Sequence, residues 1–179
     1  MRKYGLYLIM LAATLFCATS CSDEEDNHLE RWMIANQNAF NAIKTNPEYK
    51  ELKSPGNEGS IYYKVLKEGD GTDPIYYTST VECYYKGWLV ENYPEIKVEK
   101  GHVFDKKLFD DGEPFSFTPN SVIGGWKTAL QHMKKGDKWE IWIPYQLGYG
   151  RAGSGTSIPG YSTLVFEVEV ISVKGIDGK

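Results

Sequence analysis

Two periodicities divide the chain. Between Asn27 and Thr45 the apolar residues Leu29, Met33, Phe40 and Ile43 recur on one helical face, and Asn27 with Glu30 has the spacing of a capping box. A short helix to about Thr45 is predicted, and Pro47 with the cluster Ser54-Pro55-Gly56-Asn57 ends it. From Ile61 onward short strands are predicted at Ile61 to Leu66, Thr80 to Trp88, Lys138 to Ile143 and Thr163 to Val173. In the last of these Phe166, Val168 and Val170 alternate with Glu167 and Glu169, which predicts one buried face, one wet face and antiparallel pairing. A single helix interrupts the strands, carried by Trp126, Ala129, Leu130 and Met133 and stopped by Lys134-Lys135-Gly136. One helix against one sheet is an α+β arrangement.

The start of the chain has a different pattern. Arg2 and Lys3 precede Leu6 to Ala18, a run in which only Thr14 is polar. The run is shorter than the roughly 20 apolar residues a bilayer core requires, so it reads as the core of a signal peptide. Ala18-Thr19-Ser20-Cys21 resembles the lipobox of bacterial lipoproteins, in which the cysteine is acylated and becomes the first residue. The alternative is an ordinary secretory peptide with an incidental cysteine. Asp23, Glu24, Glu25 and Asp26 follow at once, a run that anionic headgroups repel and that reads as a solvated tether. It also resembles the surface-export signal of some Gram-negative lipoproteins. The expected organisation is residues 1–20 as lipoprotein signal peptide, 21–57 as acidic tether and short helix, and 58–179 as the folded domain. The predicted helix serves either as a spacer packed on its own domain or as a small dimerisation element.

Composition narrows the chemistry. With 41% hydrophobic and 14% aromatic residues the chain can bury a core, which excludes wholesale disorder. Lys+Arg 20 against Asp+Glu 24, without a dense basic cluster, argues against a nucleic-acid partner. Cleavage before Cys21 would move the net charge from −4 to −6, since Arg2 and Lys3 leave with the signal. Cys17 would leave too and Cys21 would carry lipid, so Cys83 stands alone and no internal disulfide framework is expected. His28, His102 and His132 are scattered without metal-ligand spacing. No serine sits in a nucleophile elbow, and Cys83 falls within a strand, where nothing stabilises a thiolate. Gly148-Tyr149-Gly150-Arg151-Ala152-Gly153 matches a dinucleotide fingerprint only literally, because the residues after it cannot open a helix. Asp110-Asp111 and Glu167/Glu169 read as solvated acids rather than an acid and base pair.

Read in order, several segments resemble the FKBP-type peptidyl-prolyl isomerases. They are Val81-Glu82-Cys83-Tyr84-Tyr85-Lys86-Gly87, Phe104-Asp105, Pro114-Phe115-Ser116-Phe117 and Val122-Ile123-Gly124-Gly125-Trp126, followed by Gly148-Tyr149-Gly150 and Ile158-Pro159 leading to Thr163-Leu164-Val165-Phe166. The resemblance spans about Ile61 to Val173. It implies a curved antiparallel sheet, an FKBP-like half-barrel, wrapped around the short helix, with the predicted N-terminal helix as an extension. It further implies an apolar cavity with Trp126 as floor and Tyr85, Phe104, Phe115, Val122, Ile123, Ile158 and Phe166 as walls. Asp105, the Tyr149 hydroxyl and the Ile123 backbone N–H would be the polar contacts. Tyr85, Asp105, Trp126, Tyr149 and Phe166 are the implied catalytic residues; no cofactor and no metal is required. Proline-containing polypeptides are the implied partners, macrolides the implied inhibitors, and the acylated Cys21 the link to the membrane. The expected location is the cell envelope, as an outer-membrane lipoprotein facing the periplasm or the cell surface.

Three departures from the family pattern matter. The 16 residues between Gly87 and Phe104 exceed those of compact members and form either an extended hairpin or a flap. Lys106 to Glu113 lacks the arginine that pairs with the aspartate in many members, leaving Tyr85, Lys106 or Lys107 to hold Asp105. Ser121 and Ser154 stand where bulkier polar residues are common. Two other functions compete: a non-catalytic peptide-binding chaperone or scaffold using the same cavity, and a surface glycan binder offering Trp32, Trp88 and Trp142 as stacking platforms.

Overall fold

The computed structural model describes residues 22–90 and 102–175, with the backbone alone for 22–26. The expected signal peptide, the lipidation residue Cys21 and most of the insert after Gly87 lie outside the described residues. Helix α1 (Ser22–Lys44) leads into strands β1 (Lys50–Lys53), β2 (Ser60–Lys67), β3 (Thr80–Leu89), β4 (Val103–Lys107) and β5 (Phe115–Phe117). Helix α2 (Gly124–Leu130), β6 (Lys138–Ile143) and β7 (Leu164–Lys174) complete the order. Among the described residues the strands form one sheet in the order β1-β2-β6-β7-β3-β4, and β5 also pairs with β3. Every pairing is antiparallel.

The alternation along the strands sorts side chains onto two faces. The inner face, with Ile61, Val81, Cys83, Trp139, Ile141, Phe166 and Val168, closes over Trp126, Ala129 and Leu130 of α2. That helix approaches the sheet closely because it opens on two glycines. A Cβ at Gly125 would stand 2.5 Å from Ile143 Cγ2, so any side chain there would lift Trp126 off the sheet.

The outer face is not uniformly wet. Ala39, Phe40 and Ile43 of α1 cover Trp88, Val90, Trp142 and Val165. Glu167 and Glu169, further along β7, remain half-buried and pair with Lys138 and Lys67 at 3.7 and 3.2 Å. The predicted two-faced strand is therefore amphipathic only beyond the reach of α1. This packing also corrects the reading of Trp88 and Trp142 as free platforms: they are 8% and 2% exposed, and the Trp142 indole N–H donates to Glu140 Oε1 at 2.9 Å. Trp32 is half-buried against the inner core.

Helix α1 differs from its prediction in its start and its face. It is already helical at Ser22, so Asn27 and Glu30 lie inside it rather than at its cap. The run Asp23 to Asp26 forms its first turns instead of an extended tether, as expected where acidic residues meet the positive end of a helix dipole. The buried positions are Ala35, Asn36, Ala39, Phe40 and Ile43, whereas Leu29 is exposed. Lys50–Lys53, within the stretch read as tether and helix, is an edge strand paired to β2.

Candidate active site

Between the inner face and α2 the core leaves a cavity of about 240 Å³. Its walls come from separate elements: Tyr85 from β3, Asp105 from β4, Phe115 from β5 and Phe166 from β7. Ser121, Val122 and Ile123, from the turn before α2, and Tyr149, from the loop after β6, close the sides, and Trp126 is the floor. Strand register explains the convergence. Gly87 pairs with Asp105 on one side and Phe166 on the other, which brings β4 and β7 against the same stretch of β3.

The floor is set by edge-to-face packing. The Trp126 ring lies 5.3 Å from Tyr85, 5.3 Å from Phe166 and 5.5 Å from Phe117, with interplanar angles of 87°, 87° and 68°. Such pairs prefer these geometries because the positive edge of one ring meets the negative face of the next. The Trp126 indole N–H has no hydrogen-bond partner among the described residues.

The polar groups sit on the rim. The Tyr85 hydroxyl donates to Asp105 Oδ2 at 2.7 Å, and Lys107 instead donates to the Asp111 carbonyl at 3.2 Å. Burial first, then the bond to Asp105, pushes the Tyr85 hydroxyl well above the ordinary phenol range, so it remains a donor. Burial and the nearby Asp105 charge raise Tyr149 as well. The Ile123 backbone N–H, immediately before α2, donates to no acceptor among the described residues. One carboxylate, two phenols, the Ser121 side chain and one free amide thus border an otherwise aromatic and aliphatic hollow.

All ten cavity residues singled out from sequence therefore have defined places. Tyr85, Asp105, Phe115, Val122, Ile123, Trp126, Tyr149 and Phe166 line the cavity. Phe104 stands behind it, edge-on to Phe166 at 5.4 Å. Ile158 is buried in the core, bound to Ser154 by two backbone hydrogen bonds, and is not part of the lining. Phe117 escapes the sequence reading of the site, and Ser121 enters it only as a departure from the family pattern. Phe117 supports the floor and stacks on Phe115 at 5.1 Å; its alternation with Phe115 was the available signal. Ser121 lines the wall directly. The Gly-rich segment is a turn, with Gly150 and Gly153 at φ +66° and +73° and the Gly153 N–H donating to the Tyr149 carbonyl. Cys83 is fully buried, and burial pushes its thiol up to about 12, which removes it as a nucleophile.

The family model of the FKBP-type peptidyl-prolyl cis-trans isomerases matches residues 74–171. The chain belongs to this family. Residues of the FKBP-type 22 kDa peptidyl-prolyl cis-trans isomerase of Escherichia coli are 41% identical over 116 positions, covering 65% of this chain and 51% of that protein. The macrophage infectivity potentiator of Trypanosoma cruzi is 50% identical over 116 positions, covering 65% and 54%. The chain spans about half the length of the curated relatives it matches. Among solved structures, FkpA from Escherichia coli superposes with a TM-score of 0.69 at 31% identity, over 86% of this chain and 64% of that one. A peptidyl-prolyl cis-trans isomerase of Pseudomonas syringae gives 0.65 at 32%, over 88% and 100%. The FKBP fold thus accounts for the half-barrel, and α1 is the element that this chain lays on its outer face.

Proposed function

We propose that this protein is a peptidyl-prolyl cis-trans isomerase that assists folding of proline-containing polypeptides in the cell envelope. The observation that carries the reading is the cavity itself: an indole floor, aromatic walls and a Tyr85–Asp105 rim. A prolyl imide resists rotation because resonance gives its C–N bond double-bond character, with a barrier of roughly 18–20 kcal/mol. No bond need form or break. The twisted imide has lost resonance and is less polar than the planar one, so an apolar hollow that excludes water favours it. Trp126 and Phe166 supply that surface, while the Ile123 N–H and the Asp105 and Tyr149 rim are suited to hold the flanking peptide. Shortening a roughly 100 s event to about 10 ms requires about 5.5 kcal/mol, within reach of desolvation plus one or two fixed hydrogen bonds.

Magnetisation-exchange NMR on a Xaa-Pro peptide tests this directly. Acceleration of exchange by catalytic amounts of protein, lost on Asp105→Ala, is the expected result; an unchanged exchange rate beside folded protein would sink the catalytic reading. Phe115 and Tyr149, 40% and 38% exposed at the mouth, support a second reading, a chaperone or scaffold that holds polypeptide without turning it over. Peptide binding without acceleration would favour it. A macrolide that fills the same cavity is the expected inhibitor. The run Leu6 to Ala18 followed by Cys21 supports an outer-membrane lipoprotein facing the periplasm or the cell surface, acylated at Cys21. Mass spectrometry of the protein from membranes, with and without Cys21→Ala, tests the lipid.

A further inference from the structure

Helix α1 buries one amide side chain in an interface that is otherwise apolar. Asn36 is 1% exposed, and its amide group faces Thr163 at the entry to β7. The Thr163 N–H donates to Asn36 Oδ1 at 2.8 Å, and the Thr163 hydroxyl donates to the main-chain carbonyl of Asn36 at 3.1 Å. The amide nitrogen is engaged within the helix, since Asn36 Nδ2 donates to the Trp32 carbonyl at 3.0 Å. Ala39, Phe40 and Ile43, packed on Trp88, Trp142 and Val165, already hold the helix to the sheet by apolar burial. That burial is non-directional, whereas the paired bonds fix one registry between helix and strand.

Thr163 is joined to the cavity in both chain directions. Three residues on, Phe166 is a cavity wall. On the other side, the Tyr161 N–H donates to the Gly150 carbonyl at 3.0 Å, and the Gly150 N–H donates to the Tyr145 carbonyl at 2.8 Å. Those bonds fix Gly150, the neighbour of Tyr149, whose own carbonyl accepts from the Gly153 N–H at 3.2 Å. The Ser162 hydroxyl ties the segment to the Pro159 carbonyl at 2.6 Å. A shift at Thr163 would therefore be felt at a wall and at the rim together.

We propose that Asn36 is a positioning residue for the isomerase cavity, acting through Thr163 on Phe166 and on the loop that presents Tyr149. The inference rests on the isomerase reading above. It makes α1 part of the working enzyme rather than a spacer. Misplacement of a wall by a fraction of an ångström lowers turnover without touching any group that meets substrate.

The test compares two substitutions at Thr163 in the full chain. Thr163→Ser keeps the hydroxyl and loses a methyl, and Thr163→Val keeps the shape and loses the hydroxyl. Positioning by the hydrogen bond predicts Thr163→Ser near wild-type kcat/KM and Thr163→Val lower by about fivefold or more. A Thr163→Val loss no larger than that of Thr163→Ser overturns the proposal, since packing alone would then explain the site. Asn36→Leu, checked by circular dichroism for its fold, is expected to lower kcat/KM about tenfold and to shift the Tyr149, Gly150 and Phe166 amide resonances. Folded Asn36→Leu with those resonances unmoved also overturns it. Should Asn36→Leu not fold, Asn36→Ala, which removes the Oδ1 acceptor of the Thr163 N–H without adding bulk, decides by the same resonances and the same kcat/KM. Absence of turnover in the wild type would remove the isomerase reading alone, because the amide resonances of the Thr163 pair would still report whether the wall and the rim move.

Discussion

Gly87 and Phe166 face each other across β3 and β7, and the Phe166 ring fills the space in which a side chain at 87 would stand. A Cβ at 87 would lie 2.6 Å from Phe166 Cε1 and 2.8 Å from Phe104 Cζ. Gly87→Ala is therefore expected to push both rings toward the cavity, destabilising the protein by about 1–3 kcal/mol, as overpacked cores do. Turnover should fall even where folding is complete. Urea denaturation and turnover at low temperature check the two effects; wild-type values in both would mean that the rings give way freely.

Tyr85 links the aromatic floor to Asp105, the one carboxylate of the lining among the described residues. Tyr85→Phe keeps the ring contacts with Trp126 and Phe115 but removes the 2.7 Å bond to Asp105. The expected outcome is a fall in kcat/KM of about three- to tenfold, the effect of losing one ordinary hydrogen bond, with little change in melting temperature. Glu169→Gln, on the opposite face beside Lys67, should leave turnover unchanged. Equal losses in the two variants would place the chemistry elsewhere.

Alkaline pH should unfold the domain through Cys83. Burial raises this thiol from 9.0 to about 12, so between those values the native state keeps a proton that the unfolded chain releases. The unfolded state then binds fewer protons, and stability falls as pH rises from about 9 to 12, by at most about 1.4 kcal/mol per pH unit from this group. Below pH 9 the contribution is fully present. Tyr85 and Tyr149, raised chiefly by burial, add to the decline above about pH 10. Cys83→Ala lowers stability by a constant offset and flattens the slope between pH 9 and 10. Parallel slopes for wild type and variant would refute the assignment.

The outer face offers a control that separates stability from function. The Tyr49 hydroxyl donates to Glu140 Oε1 at 2.6 Å, beside the Trp142 indole that donates to the same atom. Tyr49→Phe withdraws one donor from a carboxylate that is 7% exposed. A loss of about 1–3 kcal/mol is expected from under-satisfying that buried group, with kcat/KM of the folded protein preserved. Differential scanning calorimetry measures the first and exchange NMR the second. A matching fall in turnover would show that the whole outer face, and not Asn36 alone, is coupled to the cavity.

Local pattern suffices to predict the longer strands, the last by its alternation of apolar and acidic residues, and the helix anchored by Trp126. β6 lies at Lys138–Ile143, the predicted bounds, and β2, β3 and β7 are within one residue of theirs. Most of the lining was legible as well, because Tyr85, Phe166 and their partners stand in an ordered series of motifs. β1, β4 and β5 were not legible, since strands of three to five residues have too few alternations to show a period. What covers the outer face emerges only when the chain is folded. Trp88, Trp142 and Val165 carry no local mark of burial; they are dry because α1 lies on them. The same holds for Asn36, an ordinary polar residue in the sequence, whose amide meets Thr163 across 127 positions. Periodicity reports which way a side chain points, whereas its neighbours from distant segments are fixed by packing, which no local pattern encodes.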